Sequence, residues 1–177
     1  DADAYDFEHY VADLEELRVH LGQEQIDLLG FSHGGMVAMA YASAHPDRVG
    51  RLLLVATLAH RDESLDAEME RGLAEREEEP WYPEARAALD EEEAADFVDD
   101  EALAQNLARQ WPLYFGSYGE REQAFVATLA ALVPNADALR HFNSAVWPSF
   151  DLRPSLVRIK ARTLVVVPTM LTSAQNV

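Results

Sequence analysis

The feature that most constrains this sequence is a Gly-x-Ser-x-Gly motif at residues 30–34, set between two apolar segments. The segment before it, residues 26–31, is a short apolar run of the kind that forms a buried parallel strand. The segment after it, residues 34–42, predicts a buried helix that ends before Pro46, because proline disfavours helical geometry at the preceding residue. This order predicts a sharp strand-to-helix turn with Ser32 at the N-terminus of the helix.

Ser32 in such a turn has the setting of a catalytic nucleophile. A helix N-terminus carries free N–H groups and a partial positive charge, which favour a developing oxyanion. We expect the backbone N–H of His33 to be one donor of the oxyanion hole. We expect Gly30 and Gly34 to omit side chains that would clash where strand and helix approach each other. The alternative is a plain glycine-rich turn without catalytic function.

The segments around the motif predict an α/β fold with a parallel sheet. Apolar runs at residues 51–56 and 163–167 suit two further buried strands. The first third of the chain therefore alternates helix, strand, helix, strand, as in parallel α/β proteins. Because no strand precedes the first helix, one side of strand 26–31 is expected to be an open apolar edge. That edge favours the interpretation of the sequence as a partial chain.

The first helix is predicted from apolar residues at i, i+3 and i+4 spacing between Phe7 and Leu21. This pattern places Leu17 and Leu21 on the buried face. It places Glu15 and the other acidic residues mostly on the opposite face. Gly22 is expected to end the helix as its C′ residue.

The composition excludes several classes of function. The chain has 177 residues, with 32 acidic and 14 basic side chains and a formal charge of −18. This acidity argues against binding to nucleic acid or to anionic membranes, which requires clustered Lys and Arg. No apolar run is long enough to span a membrane, and the acidic N-terminus does not resemble a signal peptide, so we expect a cytoplasmic location. Without cysteine, and without histidines at metal-ligand spacing, no metal site is expected.

The acidic charge is concentrated in one part of the chain. Residues 62–101 contain 18 acidic and three basic residues, a net charge of −15, which leaves −3 for the remainder. We predict an α/β core over residues 1–61, an acidic helical insertion over 62–147, and a return to the core over 148–177. The simplest interpretation of the acidity is a solvated surface. The alternative is attraction of a cationic substrate group, such as a free amino terminus.

The residues around the motif, continued by residues 41–49 and the apolar run 52–55, resemble the α/β-hydrolase superfamily. They are similar in particular to its cap-bearing branch, which includes proline iminopeptidases and related esterases. Residues 150–154 and 163–167 resemble the return of that family from cap to sheet. The resemblance implies a Ser–His–Asp hydrolase that works through an acyl-enzyme on Ser32, with a helical cap that shapes the substrate pocket.

The resemblance also indicates which catalytic partners this sequence lacks. The family's acid is expected just after the strand that ends at Val167, but residues 168–171 contain no acidic residue. The family's catalytic His is expected beyond the end of this chain. His60 and Asp62 are weak substitutes. Proline iminopeptidases usually carry Trp at the position of His33, whose own side chain we expect to have a structural role.

The expected function is therefore cleavage of a small ester or amide, without a cofactor. The aromatic candidates for the substrate pocket are Phe31, Trp111, Tyr114 and Trp147. One alternative is a proline iminopeptidase-like aminopeptidase. The other, if the chain is complete, is a non-catalytic ligand-binding protein on the same scaffold. The sequence does not indicate an oligomeric state.

Overall fold

The computed structural model describes residues 5–94, 97–129 and 131–167. These residues form two compact units. The first, the sheet unit, comprises residues 5–62 and 145–167; the second, the helical unit, comprises residues 63–144. Trp147, the predicted last residue of a helical cap over residues 62–147, belongs to the sheet unit.

The elements follow in the order α1 (Phe7–His20), β1 (Ile26–Phe31), α2 (His33–Ala44), β2 (Val49–Val55), α3 (Glu63–Ala74), α4 (Tyr82–Ala94), α5 (Asp100–Gln110), α6 (Glu120–Thr128), α7 (Ala136–His141), α8 (Arg153–Leu156) and β3 (Arg162–Val166). Short 3-10 turns occupy Trp111–Tyr114 and Trp147–Ser149, and a π turn occupies Phe142–Val146. None of the described helices is both long and apolar enough to cross a bilayer.

The three strands form one parallel sheet in the order β1-β2-β3. This confirms the prediction of an α/β fold with a parallel sheet. The core of the sheet unit lies where α2 meets β2, and Tyr41, Ala42 and Leu52 are almost completely buried there. Val11 and Leu14 of α1 pack against the same core. Burial on several sides explains why α2 is apolar around most of its circumference.

The outer strands of the described sheet expose apolar side chains. Leu29 and Phe31 of β1 are 66% and 61% exposed, and Leu164 of β3 is 62% exposed. Within the described residues β1 pairs only with β2, so its other edge is open. The predicted open apolar edge at this strand is therefore present in the described sheet.

The orientation of α1 differs from the prediction. Leu17 and Leu21 are more than half exposed, whereas Arg18 is buried. The Arg18 guanidinium donates to both carboxylate oxygens of Glu15, at 2.6 and 2.8 Å, and the Tyr41 hydroxyl donates to the same carboxylate at 2.8 Å. The assignment of Leu17 and Leu21 to the buried face is wrong because a hydrogen-bonded ion pair occupies part of that face.

The end of α1 follows the sequence prediction. Gly22 has a φ of +65°, the left-handed conformation that glycine adopts without strain. Its N–H donates to the Val19 carbonyl at 2.9 Å, and the Gln23 N–H donates to the Arg18 carbonyl at 3.2 Å. These two hydrogen bonds form a Schellman motif, which satisfies the last carbonyls of the helix.

Replacement of Glu15 by Gln is expected to destabilise the protein by about 2 kcal/mol at pH 7, because it leaves buried Arg18 without its charged partner. Hydrogen bonds from Arg18 and Tyr41 outweigh partial burial and lower the pKa of Glu15 from 4.5 to about 2. The stabilisation is therefore complete above pH 4.5 and lost as the pH falls toward 2. Urea unfolding at pH 7 and pH 3 should show a smaller difference between variant and wild type at pH 3.

The control for this prediction is Glu16→Gln, which neutralises an exposed carboxylate on the adjacent position of α1. It should stay within about 0.5 kcal/mol of wild type at both pH values. Equal losses for the two variants would contradict a special role for Glu15.

Candidate active site

Ser32 occupies the predicted turn between β1 and α2. Its backbone has φ 49° and ψ −125°, a combination that residues other than glycine rarely adopt. The residue is exposed, and it stands at the N-cap position of α2. Among the described residues its side chain makes no capping hydrogen bond to that helix. The turn therefore leaves the hydroxyl available for chemistry.

Two glycines allow close contacts around the turn between β1 and α2. A Cβ on Gly30 would lie 2.5 Å from the Cα of Gly35, and a Cβ on Gly35 would lie 2.5 Å from the Cβ of Thr57. A Cβ on Gly34 would meet nothing within 4 Å. The prediction of a close contact is thus confirmed for Gly30 and wrong for Gly34. Gly35, one residue further along the helix, is the residue that faces the neighbouring segment.

Hydrogen bonds on both sides hold the strained residue in place. The Ser32 N–H donates to the Val55 carbonyl of β2 at 3.0 Å. The Ser32 carbonyl accepts from the Gly35 N–H at 2.9 Å and from the Thr57 hydroxyl at 2.7 Å. Sequence reasoning missed Thr57, because a threonine after a strand belongs to no motif and its contact depends on the strand order.

The His33 side chain packs against α1. Its ring stacks on Phe7 with centroids 5.9 Å apart and meets the Tyr10 ring edge-on at 5.6 Å. Burial lowers the pKa of His33, so the ring is neutral near pH 7. These contacts support a structural role for the side chain. The backbone N–H of His33 is one of the first N–H groups of α2.

Trp147 belongs to an aromatic cluster that includes the same part of α1. Phe7 lies 5.6 Å from Phe150, and Phe150 stacks on Trp147 at 6.1 Å. The Arg61 guanidinium carbon lies 5.1 Å above the Trp147 ring, within the range of a cation–π contact. Phe31, the other candidate in the sheet unit, is the exposed last residue of β1.

Trp111 and Tyr114 lie together in the helical unit. Both belong to the 3-10 turn that follows α5, and their ring centroids are 5.7 Å apart. Two effects raise the pKa of Tyr114 to about 12. The larger is desolvation of the phenol by surrounding protein atoms, and the smaller is the negative charge of the nearby Glu92 carboxylate. Like any tyrosine hydroxyl, that of Tyr114 is a hydrogen-bond donor at neutral pH. The role of Trp111 and Tyr114 in a substrate pocket stays a prediction.

His60 and Asp62, two further candidates for catalytic partners of Ser32, are in contact. His60 Nε2 lies 2.9 Å from an Asp62 carboxylate oxygen, which is the distance of a base from its orienting acid. The backbone of His60 also bridges to Asp151, whose pKa is lowered to about 2 by hydrogen bonds from Arg153. Over the described ranges no three acidic or histidine side chains are placed to hold a metal ion. The family's acid position, residues 168–171, lies outside the described residues.

Known proteins share this arrangement of elements. A family model described as "alpha/beta hydrolase fold" matches residues 1–166. Proline iminopeptidase from Xylella fastidiosa is 30% identical over 129 residues, which are 67% of this chain and 41% of that protein. A probable proline iminopeptidase from Streptomyces coelicolor is 34% identical over 119 residues, 58% of this chain and 34% of that protein. The crystal structure of a hydrolase from Pseudomonas aeruginosa is 26% identical with a TM-score of 0.59, and the match covers 96% of this chain and 57% of that chain.

Replacement of Gly30 by Ala is expected to destabilise the protein by about 3 kcal/mol, because the new Cβ would overlap with backbone atoms that cannot move away. Replacement of Gly34 by Ala should change the free energy of unfolding by less than about 1 kcal/mol, because the space is open and alanine favours the helix. Denaturant unfolding of the two variants measures the difference. Similar losses at both positions would show that the close approach of β1 and α2 is not what requires Gly30.

Proposed function

Because the chain belongs to the α/β-hydrolase fold family, we propose that it is a serine hydrolase that cleaves a small ester or amide through an acyl-enzyme on Ser32. The resemblance to the branch with the proline iminopeptidases is confirmed by its relatives. The observation that carries the proposal is the strained backbone of Ser32 between a parallel strand and a helix N-terminus. The chain spans less than half the length of the curated relatives it matches, so the proposed activity is that of the whole protein.

The proposed reaction has two steps. The Ser32 oxygen attacks the substrate carbonyl, and the His33 N–H at the N-terminus of α2 stabilises the oxyanion that forms. A general base takes the serine proton and passes it to the leaving group, which gives the acyl-enzyme. Water, activated by the same base, then releases the acid and regenerates Ser32. The resemblance implies a His as this base, and His60, paired with Asp62, is the alternative among the described residues.

The substrate contacts are proposed on the aromatic residues. Phe31 and Trp147 are the candidates in the sheet unit, and Trp111 and Tyr114 are the candidates in the helical unit. The Tyr114 phenol is protonated at neutral pH, as tyrosine ordinarily is, so it can donate to a substrate oxygen. The division of the chain into a catalytic core and an acidic cap is part of the same proposal.

A fluorophosphonate probe is expected to label wild-type protein on Ser32, because such probes react with activated serine hydroxyls. Ser32→Ala should abolish the labelling. Ser149→Ala, which removes another exposed serine of the sheet unit, should label like wild type. Mass spectrometry of the labelled peptide identifies the site. Labelling that persists in Ser32→Ala would contradict the assignment of the nucleophile.

Two other functions make different predictions. The proline iminopeptidase relatives favour an aminopeptidase, whereas His33 stands where the resemblance implies Trp. Rates with a prolyl anilide and with a neutral acyl ester separate an aminopeptidase from an esterase. A non-catalytic ligand-binding protein would bind either compound saturably without turnover. It would also leave the fluorophosphonate probe unreacted.

The acidic run Glu77–Glu79 offers a test of substrate attraction, because all three residues are exposed. Neutralising the three residues to Gln is expected to lower the rate with a cationic amino-acid ester, relative to a neutral ester, by about threefold at low ionic strength. The effect should fade as salt is added, because the screening length is about 10 Å at 0.1 M salt.

The matched control replaces the same three residues by Asp, which keeps their charge, and should leave the ratio of rates unchanged. If both triple variants keep the wild-type ratio at every ionic strength, the acidic run is only a solvated surface.

A further inference from the structure

Thr57 lies two residues beyond the carboxyl end of β2, in contact with the turn that carries Ser32. We propose that Thr57 is a positioning residue, which holds the His33 N–H of the oxyanion hole in place by fixing the Ser32–His33 peptide group. This inference rests on the proposed function, because the oxyanion hole is part of it.

The first step is the geometry of one peptide group. The Thr57 hydroxyl donates to the Ser32 carbonyl at 2.7 Å. The Ser32 carbonyl and the His33 N–H belong to the same planar trans peptide, in which the two bonds point in opposite directions. A hydrogen bond that fixes the oxygen therefore also fixes the direction of the N–H. The bond also polarises the peptide, which strengthens the N–H as a donor.

The second step is the position of Thr57 relative to Ser32. Phe31 and Val55 are paired in the sheet, so the residues that follow them, Ser32 and Ala56, stand at the same level of neighbouring strands. These two are the non-glycine residues with positive φ in the described ranges, at 49° and 48°. The Ala56 N–H donates to the Val166 carbonyl at 3.0 Å, which ties its bend to β3. Thr57 connects the two strained turns.

The third step is the packing of the Thr57 side chain. The position of a Cβ on Gly35 lies 2.5 to 2.6 Å from Thr57 Cβ, Oγ1 and Cγ2. The branched side chain therefore fills the space beside Gly35, and its rotation is restricted. The shape and the hydroxyl group of Thr57 can therefore be tested separately by two substitutions. Valine keeps the branched shape without the hydroxyl, and serine keeps the hydroxyl without the methyl group.

The kinetic test uses the full-length protein and p-nitrophenyl acetate. Thr57→Val is expected to lower kcat by about tenfold, less than the loss of an oxyanion donor itself, because the donor is misdirected but still present. KM should stay within about twofold, since the ground-state ester makes little use of the oxyanion hole. Thr57→Ser should recover most of the rate. Thr163→Val, the same change at an exposed threonine of β3, should match wild type.

Two kinetic outcomes would overturn the proposal. The first is a wild-type kcat in Thr57→Val, which would mean that the hydroxyl has no role. The second is an equal loss of kcat in Thr57→Val and Thr57→Ser, which would assign the effect to packing. A general loss of stability would instead lower the midpoint of urea unfolding. It would not lower kcat selectively while KM stays unchanged.

A second readout does not depend on activity. The backbone amide signal of His33 in a ¹H–¹⁵N spectrum should shift in Thr57→Val and stay near its wild-type position in Thr57→Ser. An unchanged His33 amide in Thr57→Val overturns the inference even if the protein hydrolyses no ester. Conversely, an inactive wild type that shows the expected shifts contradicts the proposed function and leaves the positioning of the peptide supported.

Discussion

The close approach of β1 and α2 is the constraint on which the sheet unit depends. A Cβ on Gly30 would lie 2.5 Å from Gly35, so the strand and the helix touch backbone to backbone. The chain passes from one to the other through a single residue, Ser32, which adopts the strained φ and ψ that this reversal demands. Such strain persists only where the surroundings over-determine it. Hydrogen bonds to Val55, Gly35 and Thr57 provide that restraint. An exposed serine at the carboxyl edge of the sheet is thus a consequence of packing, before any catalytic partner is considered.

The same turn organises the aromatic packing around it. The neutral His33 ring lies between Phe7 and Tyr10 of α1, so the helix that begins at the nucleophile is joined to the first helix of the chain. Phe7 in turn contacts Phe150, which stacks on Trp147. The first helix and the segment that leads back to β3 therefore meet in one cluster next to the turn at Ser32. Because burial lowers the pKa of His33, its imidazole adds no charge to these rings near pH 7.

The features that could be predicted from the sequence are those with local signals. The turn at Ser32 follows from an apolar strand, two glycines and an apolar helix in succession, and the end of α1 follows from Gly22. The features that could not be predicted depend on contacts between elements. Periodicity cannot distinguish a surface carboxylate from Glu15, because its burial comes from Arg18 and from a tyrosine on another helix. Thr57 carries no signal, because its hydrogen bond exists only when β1 and β2 pair in register.

The concentration of acidic residues is partly structural. In the helical unit the Arg86 guanidinium binds Glu70 of α3 and Asp90 of its own helix, and Arg109 of α5 binds Glu91. These pairs join α3, α4 and α5 and offset repulsion that a net charge of −15 over residues 62–101 would otherwise impose. Exposed pairs of this kind add little individually, but here several of them connect the same helices. The arginine-paired carboxylates thus contribute to the packing of the helical unit. The choice between a solvated surface and attraction of a substrate concerns other exposed carboxylates, such as Glu77–Glu79.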